Sequence, residues 1–161
     1  MSEGYIGLAP AYGFFNKQNI AGTTATTYNL DFDVVSANGL IVSLDGIVQE
    51  PGYAFSVGRS ATGVMQLTFA EALPVTTVSS SLALTAGSNS VTGFTTAQTA
   101  TLVVGKGITG NVNIPADTFI ASISSTSITM TNAASASVSS QSLTFGSRVY
   151  VIYLGNVLQT A

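Results

Sequence analysis

The chain has 161 residues, a net charge of −3, 7% charged residues and 46% hydrophobic residues. It contains neither cysteine nor histidine, which excludes disulfides, thiol nucleophiles, Ser-His-Asp triads and imidazole metal ligands. The basic patch that would track a phosphate backbone is not expected either, so we predict no nucleic-acid partner. The only cations are Lys17, Arg59, Lys106 and Arg148.

The high apolar share does not come from a membrane-spanning segment. The longest strongly apolar run, residues 149–154, is far shorter than the roughly 20 residues that cross a bilayer as a helix. The first residues lack the basic region and apolar block of a signal peptide. The surface must therefore be covered mainly by Ser, Thr, Ala, Asn and Gly, which suits permanent burial against other subunits because few charges need desolvation.

Residues 1–19 are rich in glycine and aromatic residues and have no regular hydrophobic period. Glycine and proline weigh against a helix, so we predict an extended arm. Its apolar side chains would be unfavourable in water, and two interpretations stay open: they pack on the arm's own domain, or they dock on a partner. The candidate contact residues are Tyr5, Ile6, Leu8, Pro10, Tyr12, Phe14 and Phe15.

The alternation of residues 27–32 predicts a strand, and Asp31 and Asp33 share one face at its end. Two such carboxylates could ligate a hard cation such as Ca²⁺. The sequence supplies no further ligands nearby, so we interpret them as solvated acids at a sheet edge, where charge opposes aggregation. We predict no metal site and no cofactor.

The stretch LIVSLDGIVQEPGYAFSV, residues 40–57, predicts a β-hairpin. Asp45-Gly46 accepts the positive φ angles of a type I′ turn, and a second apolar run follows at Ile47-Val48. Pro51-Gly52 predicts a type II turn, after which a third strand would complete a three-stranded meander. That third strand would carry three large side chains on one face, Tyr53, Phe55 and Val57.

A further strand is expected at residues 64–69, with Met65, Leu67 and Phe69 on one side. The composition then changes: serine and threonine dominate residues 76–142, and turn signals recur about every ten residues. This spacing, without a helical period, predicts a second small β-sandwich or barrel, and its apolar strands argue against a disordered linker. The predicted strands are 81–85, 90–94, 99–104, 119–124, 127–131 and 141–145.

Residues 148–154 read as a long central strand that is apolar on both faces. Because the second module has its own strands, this strand is expected to return to the first sheet. We therefore predict an all-β protein, an antiparallel β-sandwich or barrel with a second small β module inserted into one hairpin and preceded by an extended N-terminal arm. The predicted division is 1–19 for the arm, 20–75 plus 146–161 for the discontinuous domain, and 76–145 for the insert.

Three stretches together resemble a small β domain of tailed-bacteriophage virion proteins, found near the N-termini of tail fibres and in short capsid-associated proteins. They are residues 40–57, residues 67–69 with 72–74, and residues 149–155. The family pattern is a Val-x-Gln-x-Pro-Gly turn, an aromatic strand, a Thr-Phe strand and a final apolar strand ending in Leu-Gly, and here Ile47 stands at the position of its Val. Here about 70 residues replace the usual short turn after Pro74. Within them, residues 103–123 look like an all-β repeat of phage and bacterial surface proteins.

The resemblance implies a capsid decoration, or cement, protein that assembles as a homotrimer, binds the major capsid protein and stabilises the outside of a phage head. The arm residues would be its capsid or subunit contacts, and it would be made in the host cytoplasm. Two alternatives remain: a tail or neck fibre or fibre anchor, and a host-surface glycan-binding module. The lack of a shaft after the final strand weighs against the tail. The glycan module would use Tyr53, Tyr150 or Tyr153, without the usual Trp.

Two patterns resemble catalytic or cofactor motifs without their context, so we predict no enzyme. Residues 105–110 match G-x-G-x-x-G, but Pro115 follows too soon for the helix that a pyrophosphate needs. Asp45, Glu50 and Glu71 could supply a glycosidase carboxylate pair, yet Asp45 occupies a turn that favours aspartate for structural reasons.

Overall fold

The computed structural model describes residues 16–154, apart from the side chains of Ser79 and Ser80. Strands make up 48% of the described residues and helix 5%, and the sheets are antiparallel, which confirms the predicted all-β sandwich or barrel class. The strands are β1 (Asn16–Ala21), β2 (Thr27–Asn29), β3 (Leu40–Leu44), β4 (Ile47–Gln49), β5 (Phe55–Arg59), β6 (Met65–Phe69), β7 (Val75–Leu84), β8 (Ser90–Thr92), β9 (Gly107–Thr109), β10 (Ile120–Ile123), β11 (Ser127–Met130), β12 (Val138–Gly146) and β13 (Arg148–Tyr153). A single helical turn, α1 (Thr96–Thr99), and a short 3-10 turn (Ala37–Gly39) complete the described elements.

The described strands form three sheets. The first sheet has the order β1-β13-β3-β4, the second β2-β6-β5, and the third β10-β11-β8-β7-β12-β9. β13 thus lies between β1 and β3, which confirms that the final strand returns to the sheet of the hairpin. The prediction that β13 is covered on both faces is wrong. Val149 and Val151 are fully buried, but the alternate residues Tyr150 and Ile152 are only partly buried, so one face of β13 is covered and the other is open.

The hairpin of β3 and β4 forms as predicted. Asp45 and Gly46 have φ angles of 49° and 92°, the left-handed pair that a type I′ turn requires, and Leu44 pairs with Ile47 across it. Gly52 also has a positive φ of 80°. The predicted meander is wrong, because the third strand, β5, pairs with β6 in the second sheet. Turn residues specify a reversal of the chain but not the layer that it enters, and the loop at 50–54 crosses between the two sheets.

The first and second sheets pack face to face around one cluster of buried side chains. Leu67, Val42 and Val149 are fully buried at its centre, and Tyr28 packs edge-on against Phe69 with 6.0 Å between ring centroids. Met65, Leu67 and Phe69 point into this cluster as predicted. Each such side chain contributes about 1.5–3 kcal/mol on burial. The members of the cluster come from residues 20–73 and 149–151.

The third sheet encloses a second buried cluster, whose members all come from residues 78–145. β7 and β12 form its long ladder, which begins where Val75 pairs with Gly146. The predicted division of the chain at residues 75/76 and 145/146 falls at this pair, and the division into two domains stays a prediction.

Most predicted strands of the second cluster form, with shifted ends, but the strand at 99–104 is wrong. Thr95 instead caps α1: its side chain accepts from the Gln98 backbone, and the Gln98 side chain accepts from the Thr95 backbone. This reciprocal capping box satisfies two donors locally, so one helical turn forms up to Thr99, and residues 100–104 follow it without forming a strand. β9, which pairs with β12, was not predicted.

The N-terminal arm reaches the described residues only at its end. Asn16–Asn19, which the sequence places in the arm, belong to β1 and pair with Tyr153–Tyr150 of β13. Residues 1–15 lie outside the described residues, and so do all seven candidate contact residues of the arm.

Candidate functional site

The outward side of the first sheet carries an exposed apolar surface, which we call the open face. Because side chains alternate along a strand, the residues between the buried valines of β3 and β13 point away from the core. Ile152 lies directly opposite Ile41, and Tyr150 lies opposite Ser43, which in turn pairs with Val48 of β4. Ile41 is 37% exposed and Val48 is 67% exposed. The open face consists of Ile41, Ser43, Val48, Tyr150 and Ile152.

A loop of the third sheet lies beside Ser43 and Tyr150 at one end of the open face and forms a groove with them. Val103 and Val104, which precede β9, are more than half exposed. Together with Ser43 and Tyr150 they line a cleft of about 600 Å³. The floor of this groove is therefore formed by Ser43 and Tyr150 of the open face and its wall by Val103 and Val104, and three charged residues, Asp45, Lys106 and Arg148, complete the lining.

These charged residues form a cluster that joins the hairpin turn to the third sheet. Lys106 Nζ donates to Asp45 Oδ2 at 2.6 Å, and the backbone N–H of Arg148 donates to Asp45 Oδ1 at 2.8 Å. Partial burial acts to raise the pKa of Asp45, but the hydrogen bonds from Lys106, from the Arg148 backbone and from Ser147 outweigh it and lower the pKa below its ordinary value. Asp45 is consequently an ionised structural acid at neutral pH.

The Arg148 side chain connects the first sheet to the third-sheet region on the other side of this cluster. Its Nε and Nη2 donate to Asn19 Oδ1 at 3.0 and 2.7 Å. The guanidinium carbon lies 5.5 Å from the ring centre of Phe119 and 5.8 Å from that of Tyr150, within cation–π range of both. One cation thus links β1, β13 and the third sheet.

A second cleft, of about 610 Å³, lies on the far side of Arg148 and contains Asp31 and Asp117. Burial raises the pKa of Asp117 above its ordinary value; the backbone N–H of Ala21 opposes this rise and the charge of Asp31 adds to it. Two carboxylates alone do not make a cation site, and the described residues contain no group of three or more His, Cys, Asp or Glu placed to hold a metal. Asp33 pairs instead with Arg59 at 3.0 Å.

The structure does not assemble the other motifs into sites. The G-x-G-x-x-G stretch contains β9 and turn glycines with positive φ at Gly105 and Gly110, so no helix starts there. The Asp45 carboxylate is occupied by Lys106, and Glu50 and Glu71 are exposed. No helix among the described residues has both the length and the apolar character to cross a membrane.

The three tyrosines considered for glycan binding are not brought together. Tyr53 is 82% exposed in the turn before β5, whereas Tyr150 lies on the open face. Tyr153 faces the opposite side of the sheet and stacks on Phe32, with ring centroids 5.8 Å apart.

Sequence reasoning missed the open face because β13 looked apolar on both sides. The signal that could have revealed it is the polar character of the strand beside it. Lys17 and Asn19 of β1 lie opposite Ile152 and Tyr150, on the outward side. A strand flanked on one face by lysine and asparagine is covered on the other face only.

No family model matches the chain, and no curated protein matches it. Among solved structures, the chain is similar to the phage phi92 endosialidase, with 12% sequence identity and a TM-score of 0.28 over 88% of this chain and 30% of that one. The chain therefore spans less than a third of that protein's length. A likeness at this identity and TM-score carries no argument about function.

Proposed function

We propose that the chain is a structural protein of a tailed-phage particle, and within that class a cement protein that binds the major capsid protein on the outside of the head as a homo-oligomer. The observation that carries this proposal is the open face: exposed Ile41 and Val48 beside partly exposed Tyr150 and Ile152 on the outward side of a regular sheet. A surface of this kind is suited to being covered by protein.

The proposed role is mechanical rather than catalytic. Apolar area that is buried on assembly contributes about 25 cal/mol per Å², and this contribution must be lost before the subunits separate. A protein that bridges adjacent capsid subunits therefore stabilises the shell against the outward pressure of packaged DNA. The low charge of the chain helps, because burial of its surface desolvates few ions.

The number of copies in each mature particle tests this proposal. A cement protein is present in a fixed ratio to the major capsid protein, so quantitative gel densitometry should give a copy number that scales with the capsid subunits. A copy number that instead matches one tail per particle would favour the tail or neck fibre alternative over the cement protein. Absence from the mature particle would contradict both.

Deletion of residues 1–15 tests the proposed contribution of the arm. Because β1 begins at Asn16, this deletion leaves every described strand intact. We expect the truncated chain to fold but to be lost from particles, measured by incorporation in competition with the full chain. Normal incorporation would remove the arm from the mechanism.

A further inference from the structure

We propose that the open face is the docking site for residues 5–15 of a neighbouring copy of this chain. The inference rests on the proposed function, since it specifies how copies hold one another in the assembly. It concerns contacts between copies and makes no statement about which capsid residues are bound.

The shape of the site favours an extended segment. The open face is a strip across three neighbouring strands, with Ile152 beside Ile41 and Tyr150 beside Ser43 and Val48. Neighbouring strands are spaced about 4.8 Å apart, so this strip is narrow. Val103 and Val104 form a wall beside Ser43 and Tyr150, so this end of the strip is a groove rather than a flat surface. A narrow strip that ends in a groove admits a single extended chain more readily than a second sheet.

The composition of residues 5–15 matches this groove. The segment, YIGLAPAYGFF, has no charged side chain, and its aromatic and aliphatic residues would cover the apolar side chains that the open face leaves in solvent. At about 3.3 Å per residue it is long enough to cross the whole strip. Its glycines let the backbone approach the sheet closely, and its aromatic side chains provide anchors of the kind that dominate protein interfaces.

The direction of β1 favours a neighbouring copy over the same chain. The segment joins the sheet at Asn16, which pairs with Tyr153 at one end of β13. To cover the open face of its own chain, the segment would have to double back just before Asn16, whereas the open face of a neighbouring copy requires no such reversal. Each copy has one segment and one open face, so two copies can exchange segments about a two-fold axis or several copies can pass them around a closed ring.

Cysteine crosslinking between copies gives a direct test, because the chain contains no cysteine of its own. One chain carries Tyr12→Cys and a second, differently tagged chain carries Val48→Cys; the two are co-expressed, purified and oxidised. A disulfide between the two tags can form only between copies. The control partner carries Val112→Cys, which is 97% exposed but lies in the third-sheet region.

We expect a dimer-sized product for the Tyr12–Val48 pair at several times the yield of the Tyr12–Val112 pair. Equal yields would overturn the inference. So would a chain that carries both Tyr12→Cys and Val48→Cys and forms only a monomer-sized disulfide, because its arm would then cover its own face. A protein that is monomeric at micromolar concentration would overturn it as well, while the copy number in particles tests the proposed function separately.

A substitution on the open face provides a second readout. Ile152→Asn places an amide on the outward side of β13 and leaves the buried valines in place, so the fold should be retained by circular dichroism. We expect association, measured by sedimentation, to weaken about tenfold or more. The matched control is Val35→Asn, at a 76% exposed valine outside the groove. An unchanged oligomer for Ile152→Asn would count against the inference.

Discussion

The two core-forming regions of the chain treat their apolar residues differently. The first region (residues 16–75 and 146–154) leaves large apolar side chains in solvent, whereas the second region (residues 76–145) buries nearly all of its own. Among the described residues, seven of the exposed large apolar side chains belong to the first region and three to the second. They are Val35, Ile41, Ile47, Val48, Tyr53, Val64 and Leu154 in the first, and Val103, Val104 and Val112 in the second.

The two regions also differ in charge, because among the described residues the first carries eight charged side chains and the second only Lys106 and Asp117. In the second region, serine and threonine cover a closed aliphatic core centred on residues such as Leu82 and Leu143. The first region instead leaves an apolar surface uncovered, the open face, and two of the three exposed valines of the second region lie beside it. The second region thus completes a groove on the first.

Truncation of core leucines should produce the largest effects and tests whether the two cores are separate. Leu67 and Leu82 are fully buried in the first and second clusters, so Leu67→Ala and Leu82→Ala should each lower the free energy of unfolding by about 2–5 kcal/mol. Amide hydrogen exchange should accelerate mainly in the region that carries the substitution. Uniform acceleration of exchange through both regions would show that they unfold as a single cooperative unit, and it would contradict the separation of the two cores. Val112→Ala, at an exposed site, is the control.

Glycine substitutions at the junction should have the next largest effects. A Cβ on Gly107 would lie 2.6 Å from the Cβ of Ala21, and a Cβ on Gly146 would collide with the Gly22 carbonyl oxygen. Gly107→Ala and Gly146→Ala should therefore force the regions apart and cost about 1–3 kcal/mol of stability.

The matched control for these glycines is Gly58→Ala. Gly58 also lies in a strand without positive φ, but nothing surrounds its added Cβ within 4 Å. Thermal unfolding should show a lower midpoint for the junction variants and little change for Gly58→Ala. Equal midpoints in all three variants would mean that the regions do not touch closely at Ala21-Gly22.

The charged cluster should make a smaller, pH-dependent contribution. Asp45→Asn keeps a residue that tolerates positive φ but removes the charge that faces Lys106. The expected loss at neutral pH is about 0.5–1 kcal/mol, since the pair is partly exposed and screened.

The sign of the pH dependence follows from the lowered pKa of Asp45. Its stabilisation is present above the ordinary value of 3.8 and is lost as the pH falls through the lower pKa of the folded state. The difference in stability between the native chain and Asp45→Asn should therefore be largest near neutral pH and vanish in strong acid. A difference that grows on acidification would contradict this assignment.

Asp117→Asn should have the smallest effect and the opposite sign. The pKa of Asp117 is raised, so its favourable contribution is present below the ordinary value of 3.8 and is lost as the pH rises through the raised pKa. Asparagine stays neutral and tolerates the φ of 52°, so the variant should gain no more than about 0.5 kcal/mol at neutral pH. Denaturant titration at neutral pH measures this gain, and a loss of stability would contradict it.

Features governed by local chemistry could be predicted from the sequence. The type I′ turn at Asp45-Gly46 follows from two adjacent residues, and the burial of Leu67 follows from alternation over a few positions. The return of β13 could be predicted because an apolar strand needs neighbours. The capping box of Thr95 and Gln98 stands in the sequence as T-x-x-Q, a signal that the predicted strand at 99–104 did not take into account.

Features that depend on the arrangement of sheets could not be predicted. The sequence does not show that β5 enters the second sheet, because the Pro51-Gly52 turn fixes a reversal and not a destination. The contact of Lys106 with Asp45 joins residues 61 positions apart. A prediction of the open face would have required knowledge of which side of β13 packs against the second sheet. The arm contacts lie outside the described residues and stay predictions.

The accessibility of the open face in the mature particle tests the central claim most directly. Particles that carry Val48→Cys or Val112→Cys are treated with a thiol reagent under native conditions, and labelling is compared with that of the same chains after denaturation. Both sites are exposed in the single chain. The account predicts that Cys at position 48 is protected in the particle and that Cys at position 112 is labelled fully. Equal, complete labelling at both positions would contradict it.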